Sequence, residues 1–301
     1  MTIIKNRKYW IGLSTILFIL SVITIGIKGF NFGIDFTGGT LMEIEVDDGV
    51  TVNQISDVLS SLENSGETIG APKIQASTAF DTKENHFMLR TRELNDENHT
   101  LVVQALSSLS GYQELSYTRI GPVVGENLRS KAIKALIIAI ILIILFIAWA
   151  FRKIPASMSS FRFGLIAVVA LIHDVTITAG VFSLLGLEID SFFIVAILTI
   201  LGFSVNDTIV VFDRVRETLI RREHADFEDI AEYSIESTFK RSINTSLTVI
   251  ITLLALFFFA EASIQNFILA LIIGMFIGTY SSIFVATPLL VIWEHATKKR
   301  K

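Results

Sequence analysis

The sequence contains no cysteine, so disulfides, thiolate-bound zinc and a cysteine nucleophile are excluded. Charge is scarce. The 25 Lys+Arg and 29 Asp+Glu make 18% of 301 residues, where soluble domains carry roughly 25%. With 51% hydrophobic residues and a mean hydropathy of +0.61, neither a plain soluble enzyme nor a disordered chain fits. A net charge of -4 leaves no general case for nucleic-acid binding. There is no Gly-Lys pair, hence no phosphate-binding P-loop. Any energy must come from another subunit or from a membrane gradient.

What is present is apolar and grouped in blocks. Tyr9 to Ile27 runs 19 residues without a charge, Ala135 to Phe151 runs 17, Ser242 to Ala260 runs 19 and Ala262 to Trp293 runs 32. Phe163 to Leu187 is broken only by His173 and Asp174, and Ser191 to Phe212 only by Asp207. A membrane-spanning helix needs roughly 20 apolar residues, so the sequence predicts six spans. The last block is long for one span. Ala262 to Asn266 is expected to be an entry turn, and Pro288 to kink or loosen the far end. The first block follows Lys5, Arg7 and Lys8 and lacks a small-residue cleavage site, which reads as an uncleaved signal anchor.

Basic residues predict the orientation. With the N-terminus inside, the inner segments hold Lys5, Arg7 and Lys8; Arg152, Lys153 and Arg162; a cluster from Arg214 to Arg241; and Lys298 to Lys301. The two short outer loops hold Glu188, Asp190 and Glu261 and no Lys or Arg. By the positive-inside rule both termini are cytoplasmic. The expected divisions are 1–30 (inner N-terminus and first span), 31–130 (an extracytoplasmic domain), 131–294 (spans two to six, with a cytoplasmic segment 213–241) and a basic tail 295–301.

Residues 31–130 hold 15 acidic and 6 basic side chains. Thr40 to Val46 alternates as a strand, with Leu41 and Ile44 among acids, and Asp47-Asp48-Gly49 turns the chain. Thr51 caps a helix carrying Ile55, Val58, Leu59 and Leu62. Pro72 to Phe80 reads as a strand, Asp81 to Asn85 as a turn and His86 to Arg92 as a strand. Asn95 caps a second helix that Gly111 ends, and Tyr112 to Ile120 is a last strand. The order β-α-β-β-α-β is that of ferredoxin-like domains. The fold class expected is therefore a six-span α-helical membrane protein carrying an α+β ferredoxin-like extracytoplasmic domain. Its acidic surface is either solvated or a face for a client chain or partner.

Ionisable groups inside a span cost about 2.5–3.5 kcal/mol each on insertion scales and usually face a bundle interior. Asp207 lies roughly 24 Å along its helix from Ser191. It is either locked in a hydrogen-bond network or a proton or ion site, with Asn206 and Ser204 able to bond nearby groups. His173 and Asp174 lie near mid-membrane and, as helix neighbours, cannot both face one partner. They either relay protons or pack. Arg241 opens the fifth span, where composition alone makes it a snorkelling anchor. Gly202, Gly274 and Gly278 suggest close helix packing. No catalytic or metal-binding residues are expected.

Four stretches carry a resemblance: Phe32-Gly33-Ile34-Asp35-Phe36-Thr37-Gly38-Gly39, Leu171-Ile172-His173-Asp174-Val175, Gly202 through Glu217 with its Asn206-Asp207-Thr208, and Arg241-Ser242-Ile243-Asn244-Thr245-Ser246. The chain resembles the SecD/SecF protein-export family of the RND-type superfamily over essentially its whole length, in the form of a separate SecF rather than a fused SecD–SecF chain. The resemblance implies a non-enzymatic complex with SecD. That complex would use the proton-motive force to promote late steps of polypeptide export through SecYEG, on the channel that SecA also drives. YajC, unfolded exported polypeptide and membrane lipid are further implied partners. It also implies proton coupling by Asp207 with Arg241. No cofactor is implied beyond the ion gradient, and the residues leave proton or sodium open.

The mechanism expected is protonation of Asp207, helix repacking and tilting of the outer domain through linkers at Asp35 to Gly39 and Gly121 to Gly125. Their glycines serve either as hinges or as tight turns. The alternatives are a scaffold that stabilises SecD and the channel without coupling, or half of an RND-type small-molecule exporter. An intramembrane aspartyl protease using Asp174 and Asp207 lacks the Gly-x-Gly-Asp pattern at Asn206-Asp207.

Overall fold

The computed structural model describes residues 2–64, 70, 72–77, 85–152, 160–221 and 226–298. Residues 81–84 of the turn expected at Asp81 to Asn85, the end of the strand at 78–80 and the basic residues Lys153, Arg222, Lys299, Arg300 and Lys301 lie outside the described residues, while Asn85 already belongs to a strand.

Among the described residues, six helical spans are long and apolar enough to cross a membrane. They are α1 (Arg7–Lys28), α5 (Pro122–Ala150), α6 (Ser160–Leu185), α7 (Ser191–Arg221), α8 (Phe227–Phe259) and a last span made of α9 (Ala262–Ser281), a π-helical turn (Ser282–Ala286) and α10 (Thr287–Lys298). At 1.5 Å per residue, α1 is about 33 Å long, matching a hydrocarbon core of about 30 Å. Span six begins as helix at Ala262, so the entry turn expected at Ala262 to Asn266 is absent: Glu261 is the cap residue. The π turn lies directly before Pro288. Proline has no N–H to give and its ring crowds the carbonyl four residues back, so a wider turn relieves both problems. The Thr287 hydroxyl donates to the Ser282 carbonyl at 3.3 Å.

α6, α7 and span six form the buried middle, and α1, α5 and α8 lie at the periphery. Their core includes Ala170, Ala196, Ile200, Phe212, Ile268 and Leu290. Gly274 sits against Ile200, and a Cβ on Gly278 would lie 3.0 Å from Ser204 Cβ, so these glycines let span six approach α7. Gly202 has nothing within 4 Å of where its Cβ would be, and packs no helix among the described residues. At the basic end, Glu232 accepts the backbone N–H groups of Ile3 and Ile4 at 2.9 and 2.7 Å, and Arg7 pairs with Glu228 at 2.8 Å.

The inserted domain has strands β2 (Gly39–Val46), β3 (Lys73–Ser77), β4 (Asn85–Thr91) and β5 (Gln113–Ile120), with helices α3 (Val52–Asn64) and α4 (Asp96–Leu106). The antiparallel sheet has order β3-β4-β2-β5, which is the ferredoxin-like arrangement. Met42, Ile44, Val46, Phe87 and Leu89 meet Ile55, Leu59, Val102 and Leu106 in its core. Leu41 and Ile44 therefore lie on opposite faces, as an odd and an even position must. Thr51 and Gln54 form a capping box, and Asn95 caps α4 by accepting from Asn98 N–H at 2.8 Å. α4 ends at Leu106 rather than at Gly111, because Ser107 to Ser110 tighten into turns before the left-handed Gly111 at φ 68°.

A short parallel pair, β1 (Asn31–Phe32) with β6 (Glu188–Ile189), ties the domain's entry to the α6–α7 loop. The sheet face away from α3 and α4 lies over that loop, where Arg90 of β4 pairs with Glu188.

Candidate functional site

Asp207 and Asp174 are buried carboxylates in the middle of the bundle, and hydroxyls hold both. Asp174 on α6 is 0% exposed. It accepts from Ser204 of α7 at 2.5 Å and from Ser281 of span six at 2.8 Å, both through Oδ2. Its Oδ1 lies 2.9 Å from His173 Nδ1. The His173 ring stacks on Phe18 of α1, with centroids 6.3 Å apart. The two neighbours thus face different helices, as their 100° separation requires.

Asp207 on α7 accepts from Ser242 of α8 through Oδ1 at 2.6 Å and from Ser282 of span six through Oδ2. Around it, Ser246 of α8 and Thr279 share a 2.5 Å bond. A carboxylate accepts only, and the donors here come from two other helices, so its charge state is tied to how α7, α8 and span six pack.

Asn206 is exposed, and serines rather than Asn206 and Ser204 hold Asp207. Ser204 bonds a nearby group, as expected, and that group is Asp174. Arg241 stands at the start of the uncharged run of the fifth span, but its helix α8 begins earlier, at Phe227, so Arg241 sits mid-helix and exposed, beside the Ser242 that binds Asp207. Arg241 is close enough to act on Asp207 through its charge. Ser242, Ser281 and Ser282 were the residues that sequence reasoning missed. Their signal is a hydroxyl in an otherwise apolar run, which is common enough in membrane helices to carry little weight alone.

The linker residues are ordered parts of a junction. Ile34–Thr37 is one helical turn, α2, and Gly38 and Gly39 follow at φ 72° and 132°. Asp35 accepts from the backbone N–H of Ser191 at 2.8 Å, and Asp190 from that of Phe193 at 2.8 Å. Two carboxylates thus serve the N-terminus of α7. Burial pushes the Asp190 carboxyl up from its ordinary range, and the nearby Asp35 charge adds to this, against the Phe193 bond and the Arg90 charge. Burial likewise lowers the Arg90 guanidinium. Among the described residues, no group of His, Asp and Glu could hold a metal ion.

Comparison with known proteins places this geometry. Residues 102–296 match the model of the protein export membrane protein SecD/SecF, C-terminal, and residues 23–50 match the SecD/SecF GG motif. The protein translocase subunit SecF of Thermobaculum terrenum is 41% identical, covering 97% of this chain and 94% of its own. The SecDF of Thermus thermophilus is 34% identical over 98% of this chain but 38% of its own. Its crystal structure, titled as that of a translocon-associated membrane protein, superposes with a TM-score of 0.86 at 32% identity, covering 98% of this chain and 39% of that one. The six apolar spans are those of a multi-pass membrane protein, and the chain belongs to the SecD/SecF family of protein-export membrane proteins, on its SecF side.

Proposed function

We propose that this chain is the SecF-type half of a SecD–SecF assembly that uses the proton-motive force at Asp207 to promote late steps of polypeptide export through SecYEG. It is not an enzyme and needs no cofactor beyond the gradient. The observation that carries the reading is the Asp207 carboxylate, buried and held only by hydroxyls from α8 and span six, with Arg241 one residue from Ser242. Protonation would replace an acceptor by a donor at the junction of three helices. One charge crossing the field supplies roughly 2.3 kcal/mol per 100 mV, enough to bias a two-state packing.

The SecD-type partner is supported by the fused relatives, in which this chain aligns to about two fifths of the length. Exposed polar side chains within the spans support it too: Asn206 on α7, and Arg241, Asn244, Thr245 and Thr248 on α8. Polar groups at membrane depth are costly against lipid, so a second membrane protein would cover them. In this reading the basic end faces the cytoplasm, residues 31–130 face outward, and SecA acts on the same channel, with YajC as a further partner.

The test is gradient-dependent export in vesicles carrying the chain with its SecD partner. Asp207→Asn at matched expression is expected to assemble yet lose the acceleration of late translocation by the gradient. Retained acceleration would make the chain a scaffold. Repeating the assay with a sodium gradient separates the two ions.

A further inference from the structure

The Asp207 site leaves a second buried carboxylate unused. Asp174, beside His173, shares elements with the Asp207 site. α7 supplies Ser204 to Asp174 and, three residues on, Asp207 itself. Span six supplies two adjacent hydroxyls, Ser281 to Asp174 and Ser282 to Asp207. Each hydroxyl has one proton and two acceptors in reach. Ser281 can donate to Asp174 or to the Gly278 carbonyl at 3.1 Å, and Ser282 to Asp207 or to the Thr279 carbonyl at 3.0 Å. These carbonyls are adjacent, and Ser282 opens the π turn, where the backbone ladder is already widened.

We propose that Asp174 with His173 is a second proton-carrying node of the same machinery, and that Ser281 and Ser282 couple its protonation to that of Asp207. The proposal rests on the reading of Asp207 as the proton site. When Asp207 takes a proton, its new O–H needs an acceptor where the Ser282 donor stood. Ser282 turns its own proton to Thr279 and accepts. Ser281, one residue away on the same turn, resets between Gly278 and Asp174. Losing that donor favours protonation of Asp174, and His173 Nδ1 at 2.9 Å is placed to pass the proton. Only the proton moves: Nδ1–H breaks, Oδ1–H forms, and the pair keeps its total charge. His173 lines a cavity of about 280 Å³ with Ser14, Thr15 and Phe18 of α1. Among the described residues, the charged group acting on Asp174 is His173 and that acting on Asp207 is Arg241, and the titratable Tyr280 lies near the His173 cavity. α1 contributes Ser14, bonded to Tyr280 of span six at 3.1 Å.

The test follows the carboxyl C=O infrared band of the full chain with its SecD partner in nanodiscs, titrated with pH. The Asp174 band is assigned as the one lost in Asp174→Asn. Its midpoint is expected to move by about one pH unit or more between wild type and Asp207→Asn, the size at which two sites titrate as a pair. With Ser281→Ala and Ser282→Ala together, the band stays but that displacement vanishes. Ser281→Thr with Ser282→Thr, which keeps both hydroxyls, restores it. An absent band, an unmoved midpoint or a displacement that survives the alanine pair overturns the proposal, the last because it would be plain Coulombic coupling. If export loses gradient dependence in Asp207→Asn while the midpoint stays fixed, the coupling fails and the Asp207 reading stands. If export keeps its gradient dependence, the Asp207 reading falls and takes the motor role of Asp174 with it, whatever the midpoints.

Discussion

Gly125 stands against the backbone of Gly38, so closely that a Cβ on Gly125 would lie 2.9 Å from the Gly38 amide nitrogen. The two ends of the inserted domain are therefore clasped to each other rather than free. Gly125→Ala is expected to destabilise the chain by about 1–3 kcal/mol, because backbone on both sides must give way. Gly38→Ala should cost more, since its Cβ would meet Pro122 Cα at 2.9 Å and its φ of 72° disfavours any L side chain. Gly12→Ala on α1, with nothing within 4 Å, is the control and should cost nothing. Thermal unfolding of the purified chain reads all three. Equal behaviour of Gly125→Ala and Gly12→Ala would mean that the clasp is not formed.

Asp35 joins that clasp to the membrane bundle by accepting from Ser191 N–H. Asp35→Ala leaves a helix-terminal donor without its acceptor and should cost about 0.5–2 kcal/mol, the range for a lost cap. Asp35→Asn keeps a carbonyl oxygen and should lie near wild type. Hydrogen exchange at the start of α7 checks the local effect: faster in Asp35→Ala, unchanged in Asp35→Asn.

Asp190 gives the same junction a pH dependence. Its carboxyl is raised in the folded chain by burial first and then by Asp35. Between the ordinary carboxyl range and the raised value, the folded state binds the proton more readily than the unfolded state. Its contribution is thus fully present below about pH 3.9 and is lost as pH rises through the folded value. Asp190→Asn, neutral at every pH and still able to accept from Phe193, should remove that slope. The observable is the difference in unfolding free energy between wild type and variant. Wild type is expected to lose ground to Asp190→Asn as pH rises toward neutrality, and a difference independent of pH would refute the assignment.

The order of elements was legible in the sequence because both periodicities are strong. Nineteen uncharged residues from Tyr9 to Ile27 leave little but a span, and the alternation at Met42, Ile44 and Val46 leaves little but a half-buried strand. Asp207, Asp174 and His173 were legible for the opposite reason, as costly groups where nothing polar should be. Their partners were not. Ser242, Ser281 and Ser282 cost little in a span, and only tertiary packing distinguishes them from hydroxyls such as Thr252, which bonds its own helix at the Thr248 carbonyl. The position of Arg241 within α8 was hidden because charge marks the end of an apolar run, whereas the hydrogen-bond ladder of the helix continues through charged residues. Gly111 does not mark the end of α4, because Ser107 and Ser108 turn their hydroxyls back on the Val103 and Ala105 carbonyls, four and three residues earlier.

Gly278 links packing to chemistry, which gives the sharpest test of the bundle. Its missing side chain leaves room for Ser204, whose hydroxyl holds Asp174. A methyl at Gly278 would lie 3.0 Å from Ser204 Cβ, tighter than most such contacts, so α7 and span six must separate by a few tenths of an ångström. Gly274→Ala faces Ile200, whose side chain would have to leave its present place. Overpacking of this kind costs about 1–3 kcal/mol at either position. The two substitutions should differ in function. Gly274→Ala strains an apolar contact and is expected to lower thermal stability while sparing gradient-dependent export. Gly278→Ala displaces a donor to a buried carboxylate and is expected to lower both. Export measured at a temperature where both variants remain folded separates these effects. Equal export from the two would show that the Ser204–Asp174 bond matters for packing alone.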